Sequence, residues 1–513
     1  MVALLQRAQQ GWQAFRAGLA GSAPPPPGLH AFELAPAGGK RRLHLRIDDD
    51  GAGVLFVDVS DVIHLNQTAA EMAYLALSGV PRAQAAAALS RRVGAGDRAR
   101  QAQDLADVYA MIDAFRQPGD DCPTCAVPTL RRAAPFSQPA GAPYKADLAI
   151  TYGCNNACNH CYNEPDRFTL PSLPAADWFV ILDRLAAVGV PHVIFTGGEP
   201  TLHPDLPALI RHADGRGQIV GMNTNGRRLS DLAYLAALEA AGLNHVQITL
   251  GSSRAAVHDA IMGARAFRQT VRGIENGVAS GVHTITNTTL MRRNQDHVEE
   301  IIDFLHDLGI RTFAMNGMIY SGGGFADPNA IPEAEMPPLL RRVRDHAADK
   351  GMRFLWYTPT EYCRLSPIEL DIGVKRCNAG EYSICIEPNG DVLPCQSYYV
   401  AAGNLLRDPW AQIWRSDLFR SFRDRELDPA AAGLPQKCWE CPELSVCGGG
   451  CRIAREAAQG QRTSGSACAG CGSGRSHSSQ PKTGFVALEQ LAVQGRSAAP
   501  EPVEGGLRKT QER

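Results

Sequence analysis

From residue 41 onward, apolar positions alternate with charged ones. Leu43, Leu45 and Ile47 mark one strand, Asp49-Asp50-Gly51 supplies a turn, and Val54–Val59 is β-rich again. A short strand, Val62–Leu65, precedes Asn66, a residue suited to cap a helix. Ala70, Ala73, Tyr74 and Leu77 then recur at helical spacing. Two more helices are predicted over Ala83–Arg92 and Asp97–Phe115. Residues 41–116 therefore read as a small β-then-α domain with the size and element order of a winged-helix module. Residues 1–40, with Pro24–Pro27 and Ala37-Gly38-Gly39, read as a flexible lead-in, and the Pro-rich stretch 117–145 as a linker.

Beyond the linker, strand and helix periods alternate. The predicted strands are Leu148–Thr151, His192–Thr196, Ile219–Thr224, His245–Leu250, His283–Thr289 and Arg311–Met318. Helical patterns such as Trp178–Val188 and Val298–Leu308 fall between them. Six such units imply an α/β fold, a partial (β/α)6 barrel over 146–358. Residues 359–471 are rich in Cys and Gly with little periodicity, which predicts a segment that folds around metal rather than around a large apolar core. Residues 472–513 turn to Ser, Gly, Gln and charge and read as a disordered tail.

Composition narrows the possibilities. A chain of 513 residues is too long for one core. With 44% apolar residues and a net charge of −2, nothing electrostatic points to nucleic acid or a membrane surface. No stretch is long and apolar enough to span a bilayer, and Arg7 and several Gln interrupt the opening segment where a signal peptide would be apolar. A cytoplasmic protein is expected. The 15 cysteines are clustered: Cys122 and Cys125, three at 154–161, and the remainder between 363 and 471. In a cytosolic chain, tight clusters at fixed spacing read as metal ligands rather than disulfides. The lone pair Cys122-Pro-Thr-Cys125 reads as incidental or structural.

The sharpest motif is Cys154-Asn-Asn-Ala-Cys158-Asn-His-Cys161-Tyr162. It follows the first barrel strand, at the end where βα enzymes carry their chemistry. Three soft thiolates suit a cubane iron–sulfur cluster and leave its fourth iron open to another molecule. Zinc is the rival, with His160 the nearest candidate fourth ligand.

This pattern resembles the signature of the radical S-adenosylmethionine superfamily. The resemblance implies that Cys154, Cys158 and Cys161 ligate a 4Fe–4S cluster whose open iron is chelated by S-adenosyl-L-methionine. One-electron reduction then yields a 5′-deoxyadenosyl radical that abstracts hydrogen, and Tyr162 packs near the adenine. Thr196-Gly197-Gly198-Glu199-Pro200 resembles the family segment in which the glycine backbone and Glu meet the methionine ammonium. Asn223-Thr224-Asn225-Gly226 resembles the segment near the ribose. Ile248-Thr249-Leu250-Gly251-Ser252 resembles the fourth, although the carboxylate common in relatives is absent, leaving Ser252 as the candidate for the ribose.

The later cysteines, Cys377-x12-Gly390-x4-Cys395 and Cys438-x2-Cys441-x5-Cys447-x3-Cys451, resemble the SPASM extension of peptide-modifying members. The resemblance implies two auxiliary 4Fe–4S clusters. Cys377, Cys395 and Cys451 would serve one, completed by Cys363 or Cys385. Cys438, Cys441 and Cys447 would serve the other, completed by Cys468 or Cys471. In sulfatase-maturing relatives an Asp follows the residue equivalent to Cys395 and acts as a base. Here Gln396 stands there and cannot take a proton.

Residues 41–116 resemble the small domain related to the peptide chaperone of pyrroloquinoline quinone synthesis, which implies capture of a leader peptide as an added strand. The implied function is an oxidoreductase-type radical enzyme modifying a ribosomally made peptide by a thioether or carbon–carbon crosslink or side-chain oxidation, with electrons from a flavodoxin or ferredoxin. The alternatives are a dehydrogenase, epimerase or cofactor-assembly enzyme for a small molecule, and a non-catalytic cluster-bearing binding protein. No residue names the substrate or a catalytic acid or base.

Overall fold

The computed structural model describes residues 24–34, 41–57, 61–93, 98–115 and 134–460. Cys122, Cys125, Cys468, Cys471 and the predicted tail lie outside them.

The first unit is a four-stranded antiparallel sheet in the order β1 (Gly28–Leu34), β2 (Arg41–Ile47), β3 (Gly53–Val57), β4 (Asp61–Leu65). Leu43, Leu45, Leu55 and Ile63 project from one face onto the helices Gln67–Leu77 and Arg98–Phe115, burying Ala70, Ala73 and Phe115 with them. Asn66 caps the first helix, its Oδ1 accepting the Ala69 N–H at 2.9 Å. The helix Arg82–Val93 completes the unit. The predicted lead-in is corrected here: Gly28–Leu34 is a full strand in register with β2, because Phe32 and Leu34 pack onto the same apolar cluster.

The second unit contains the six predicted strands as β5 (Lys145–Thr151), β6 (His192–Gly197), β7 (Ile219–Thr224), β8 (His245–Thr249), β9 (His283–Thr289) and β10 (Thr312–Asn316). All run parallel, in chain order. Residues such as Val193, Phe195, Val220, Met222, Val246 and Ile248 face the surrounding helices and form the main core. The alternate residues face inward. There Lys145 pairs with Asp147 at 3.0 Å, and His192 meets His245 at 2.7 Å. Burial holds the His192 ring neutral, with its pKa at about 3.

Two features exceed the prediction. A parallel strand, β11 (Arg353–Trp356), follows β10, and the Cys-rich region continues the same sheet at its opposite edge. There β12 (Ser383–Ile386) pairs parallel with β5 and is extended by β13 (Asp391–Leu393) and β14 (Gly403–Asn404). Ile384, Ile386, Val392, Leu405, Ile413 and Phe419 belong to the main core. The expectation that this region lacks a large apolar core is therefore overturned.

The two units are bolted together through the base of the barrel. Arg42 pairs with Asp214 at 2.7 Å, and His44 meets the Gly217 carbonyl at 2.6 Å. Arg46, 1% exposed, donates to the Ala142 carbonyl at 2.9 Å and lies against the Phe56 and Tyr144 rings.

Candidate active site

The cysteine loop leaves the C-terminal end of β5 and is held from every side by backbone. The Ala157 and Asn159 N–H groups donate to the Met262 and Ile261 carbonyls at 3.0 and 3.1 Å, at the end of the helix Ala255–Met262. The Gly323 N–H donates to the Cys161 carbonyl at 2.8 Å. Gly263, with φ of +59°, lies so close that a β-carbon there would overlap the Ala157 carbonyl oxygen. The Gly197-Gly198 pair does the same work from β6. Gly198 donates to the Thr151 carbonyl at 2.7 Å, and its β-carbon would overlap the carbonyls of Tyr152 and Gly153. These two glycines thus serve the close approach of β6 to the cysteine loop.

Glu199 is fully buried and accepts from Thr201 Oγ1 at 2.6 Å, Thr201 N at 3.1 Å, Thr224 Oγ1 at 2.7 Å and Asn225 N at 2.8 Å. Burial raises its pKa, and those four donors pull it back. Its carboxylate ties the end of β6 to the end of β7. Asn225 passes the connection on, its Nδ2 donating to Asn155 Oδ1 at 2.6 Å. Asn223 stands on β7 in register with Gln247 of β8.

Ser252 is fully buried; its hydroxyl lies 2.8 Å from His297 Nε2 and accepts the Arg254 N–H at 3.0 Å. Tyr162 donates to Gln396 Oε1 at 2.6 Å and thereby joins the cysteine loop to the C-terminal region.

The donor set suits a cluster. Cys154 is exposed, while Cys158 and Cys161 are half-buried. Burial pushes the Cys154 thiol up to about 11 and Cys158 to about 12, so ligation must displace their protons. Among the described residues no three Cys, His, Asp or Glu side chains converge on one point as a single ion requires. A cubane spreads its ligands over separate corner irons. His160 is half-buried, and desolvation of its ring lowers its pKa to about 4.

The later cysteines form two neighbourhoods. Cys377 and Cys395 are buried together beside Tyr398 and Phe422. Cys438 and Cys441 pack against Ala432, Leu434 and Leu444, and Cys447 accepts the Tyr362 N–H at 3.4 Å. Cys363 is exposed, with Lys437 Nζ at 3.5 Å. Cys385 lies fully buried on β12, its thiol pushed well above the usual range by burial and by the charges of Asp147 and Glu387.

A family model described as the radical SAM superfamily matches residues 148–305, and one described as an iron–sulfur cluster-binding domain, SPASM, matches 377–442. A PqqA peptide cyclase from Streptomyces rochei is 30% identical over 61% of this chain and 85% of its own length. A mycofactocin maturase from Mycobacterium ulcerans is 32% identical over 65% of this chain and 88% of its own. The chain belongs to the radical S-adenosylmethionine superfamily. Its cofactors are 4Fe–4S clusters and S-adenosylmethionine. The structure of Streptococcus suis SuiB bound to S-adenosylmethionine shares the fold, with a TM-score of 0.57 at 19% identity over 80% of this chain and 95% of that one.

For this radical SAM enzyme, sequence reasoning passed over several residues that shape the loop. Arg227 donates to the Asn155 carbonyl and, at 2.9 Å, to Asn156 Oδ1. Glu164, 3% exposed, accepts the Gly322 N–H at 3.1 Å. The run Gly322-Gly323-Gly324 was the available signal. Only the fold reveals that it backs the cysteine loop.

Proposed function

We propose that this radical SAM enzyme modifies a ribosomally made peptide, forming a crosslink or oxidising a side chain. The observation that carries the reading is the match, over most of their length, to relatives named PqqA peptide cyclase and mycofactocin maturase. Cys154, Cys158 and Cys161 would hold the cluster that binds S-adenosylmethionine, and this pair supplies a carbon-centred radical for hydrogen abstraction. Glu199, Asn225 and Arg227 hold the cysteine loop in register with β6 and β7. Gln396 accepts the Tyr162 hydroxyl and has no acid–base role.

Cys377, Cys395 and Cys451 would hold one auxiliary cluster, and Cys438, Cys441 and Cys447 the other, with electrons arriving from a flavodoxin- or ferredoxin-type donor. Cys363 suits the fourth position better than Cys385, since it is exposed with Lys437 Nζ at 3.5 Å, while burial and the charges of Asp147 and Glu387 oppose a thiolate at Cys385.

In the N-terminal module, β1 and β4 are both edges with no further strand among the described residues, but β1 lies against the barrel, where Ala31 meets Gly217. A leader peptide would add to β4 through main-chain hydrogen bonds, raising the local concentration of its reacting segment. Proline replacements along β4 should weaken binding of the cognate precursor and its modification together, while uncoupled S-adenosylmethionine cleavage persists. Unchanged modification would remove the module from substrate capture. A second reading, small-molecule chemistry, draws on relatives named AdoMet-dependent heme synthase at 28% identity over 59% of this chain. It gains ground if no peptide is modified.

A further inference from the structure

The cleft beside Cys377 is lined by Arg425, Arg452 and Arg455 together with Gly448 and Gly450. A fourth arginine, Arg376, stands behind it, 2% exposed. Three of the four are neutralised. Arg376 pairs with Glu381 and, at 3.1 Å, with Glu426. Arg425 shares Glu381 at 3.1 Å, and Arg452 pairs with Glu456 at 3.1 Å. Arg455 alone of the set has no carboxylate partner among the described residues. Its Nη1 donates to the Gly449 and Gly450 carbonyls, and its buried Nε has no acceptor. Glu361, a further carboxylate near this cleft, is engaged by Lys437 at 3.1 Å. Arg455 sits one helical turn beyond Cys451, its backbone N–H donating to the Cys451 carbonyl at 3.2 Å. Glu361 and Glu333, whose carboxyl burial raises to about 7, act on Arg455 only from beyond ion-pair distance, so the least compensated positive charge of the four is held beside Cys377 and Cys451.

We infer that Arg455 is a positioning residue that raises the reduction potential of the cluster held by Cys377 and Cys451. The inference rests on the reading that these cysteines are cluster ligands. The physical reason is Coulombic. Thiolate ligation makes the assembly anionic, one-electron reduction adds another negative charge, and a fixed cation in a poorly hydrated cleft favours the reduced form. The one electron stays on the cluster, and the guanidinium keeps its proton throughout. The three remaining arginines cannot contribute equally, because each is ion-paired, Arg376 and Arg425 with Glu381 and Glu426 between them and Arg452 with Glu456.

The test is a potentiometric titration of the reconstituted full-length protein, with the reduced auxiliary signal followed by electron paramagnetic resonance. Arg455→Met should lower the equilibrium constant for reduction about tenfold, which is about 59 mV for one electron. Arg455→Lys should stay close to wild type. Glu456→Gln frees the charge of Arg452 and should move the potential upward, giving a reading in the opposite direction even if Arg455→Met loads poorly. Unmoved potentials in Arg455→Met or Glu456→Gln at full iron content would overturn the proposal. Unchanged iron content in Cys377→Ala would instead overturn the ligand assignment beneath it.

Discussion

On the proposed reading, two regions of this protein hold thiols for iron–sulfur clusters, and they do so in opposite ways. In the loop after β5, three cysteines fall within eight residues, and surrounding glycine backbone moulds the loop. The local chain supplies the ligand spacing, and the barrel supplies only rigidity. In the C-terminal region, eight described cysteines stretch from Cys363 to Cys451. They gather because β12 docks on β5 and because Phe419 and Phe422 pack into the core and around Cys377. Local spacing makes a site legible, whereas tertiary packing makes one that must be found.

The largest expected effect breaks one region alone. Replacing Cys154, Cys158 and Cys161 together by Ala should abolish cleavage of S-adenosylmethionine to 5′-deoxyadenosine under strong reductant without oxygen. About four of roughly twelve irons should be lost, leaving about eight in the C-terminal region. Persistent cleavage, or an auxiliary signal lost with the triad, would erase the distinction between the two regions.

Next comes the mould. Gly263→Val places a side chain against the Ala157 carbonyl and on a left-handed backbone, so the loop must move. A displacement of about 1 Å at a reacting centre costs about a hundredfold in rate. Cleavage should fall by about that factor while the C-terminal iron content stays unchanged. A variant with full activity would show that the loop is held by its metal rather than by its glycine backing.

The fourth ligand of the Cys377 cluster sharpens the comparison further. Cys363→Ser should lose up to four irons. Cys385→Ser should retain them and lose only about 1–3 kcal/mol of stability, through a hydroxyl in an apolar strand position. Denaturant midpoints with iron analysis of both variants separate these outcomes, and the reverse pattern would reassign the ligand to β12.

The smallest effect concerns pH. The Cys158 thiol, ordinarily near 9, is pushed up to about 12 by burial, so the metal-free fold favours its neutral form. A folded-state pKa raised above the unfolded value stabilises below about pH 9 and is lost as pH rises toward 12. Metal-free protein should lose about 1 kcal/mol between pH 9 and pH 10. Cluster-loaded protein, whose thiolates are already formed, should not. Equal losses in the two forms would place the sensitivity elsewhere.

Much of this molecule was decided within short windows of the chain. Period-two and period-3.6 patterns placed all six strands β5 to β10, since each strand's helix-facing side must be apolar. The spacing of Cys154, Cys158 and Cys161 defined a three-thiol loop before any contact was known. Tertiary structure decided what depends on distant partners. Gly28–Leu34 became a strand because β2 offered it a hydrogen-bonding edge. Ser383–Ile386 joined the barrel because β5 had a free edge beside it. The same cause gave Ser252 a buried partner in His297, 45 residues away, and turned the carboxylate of Glu199 onto Thr224 and Asn225. A side chain's partners are fixed by which strand ends the sheet brings together. That is a property of the whole barrel, and it left no mark in the residues beside them.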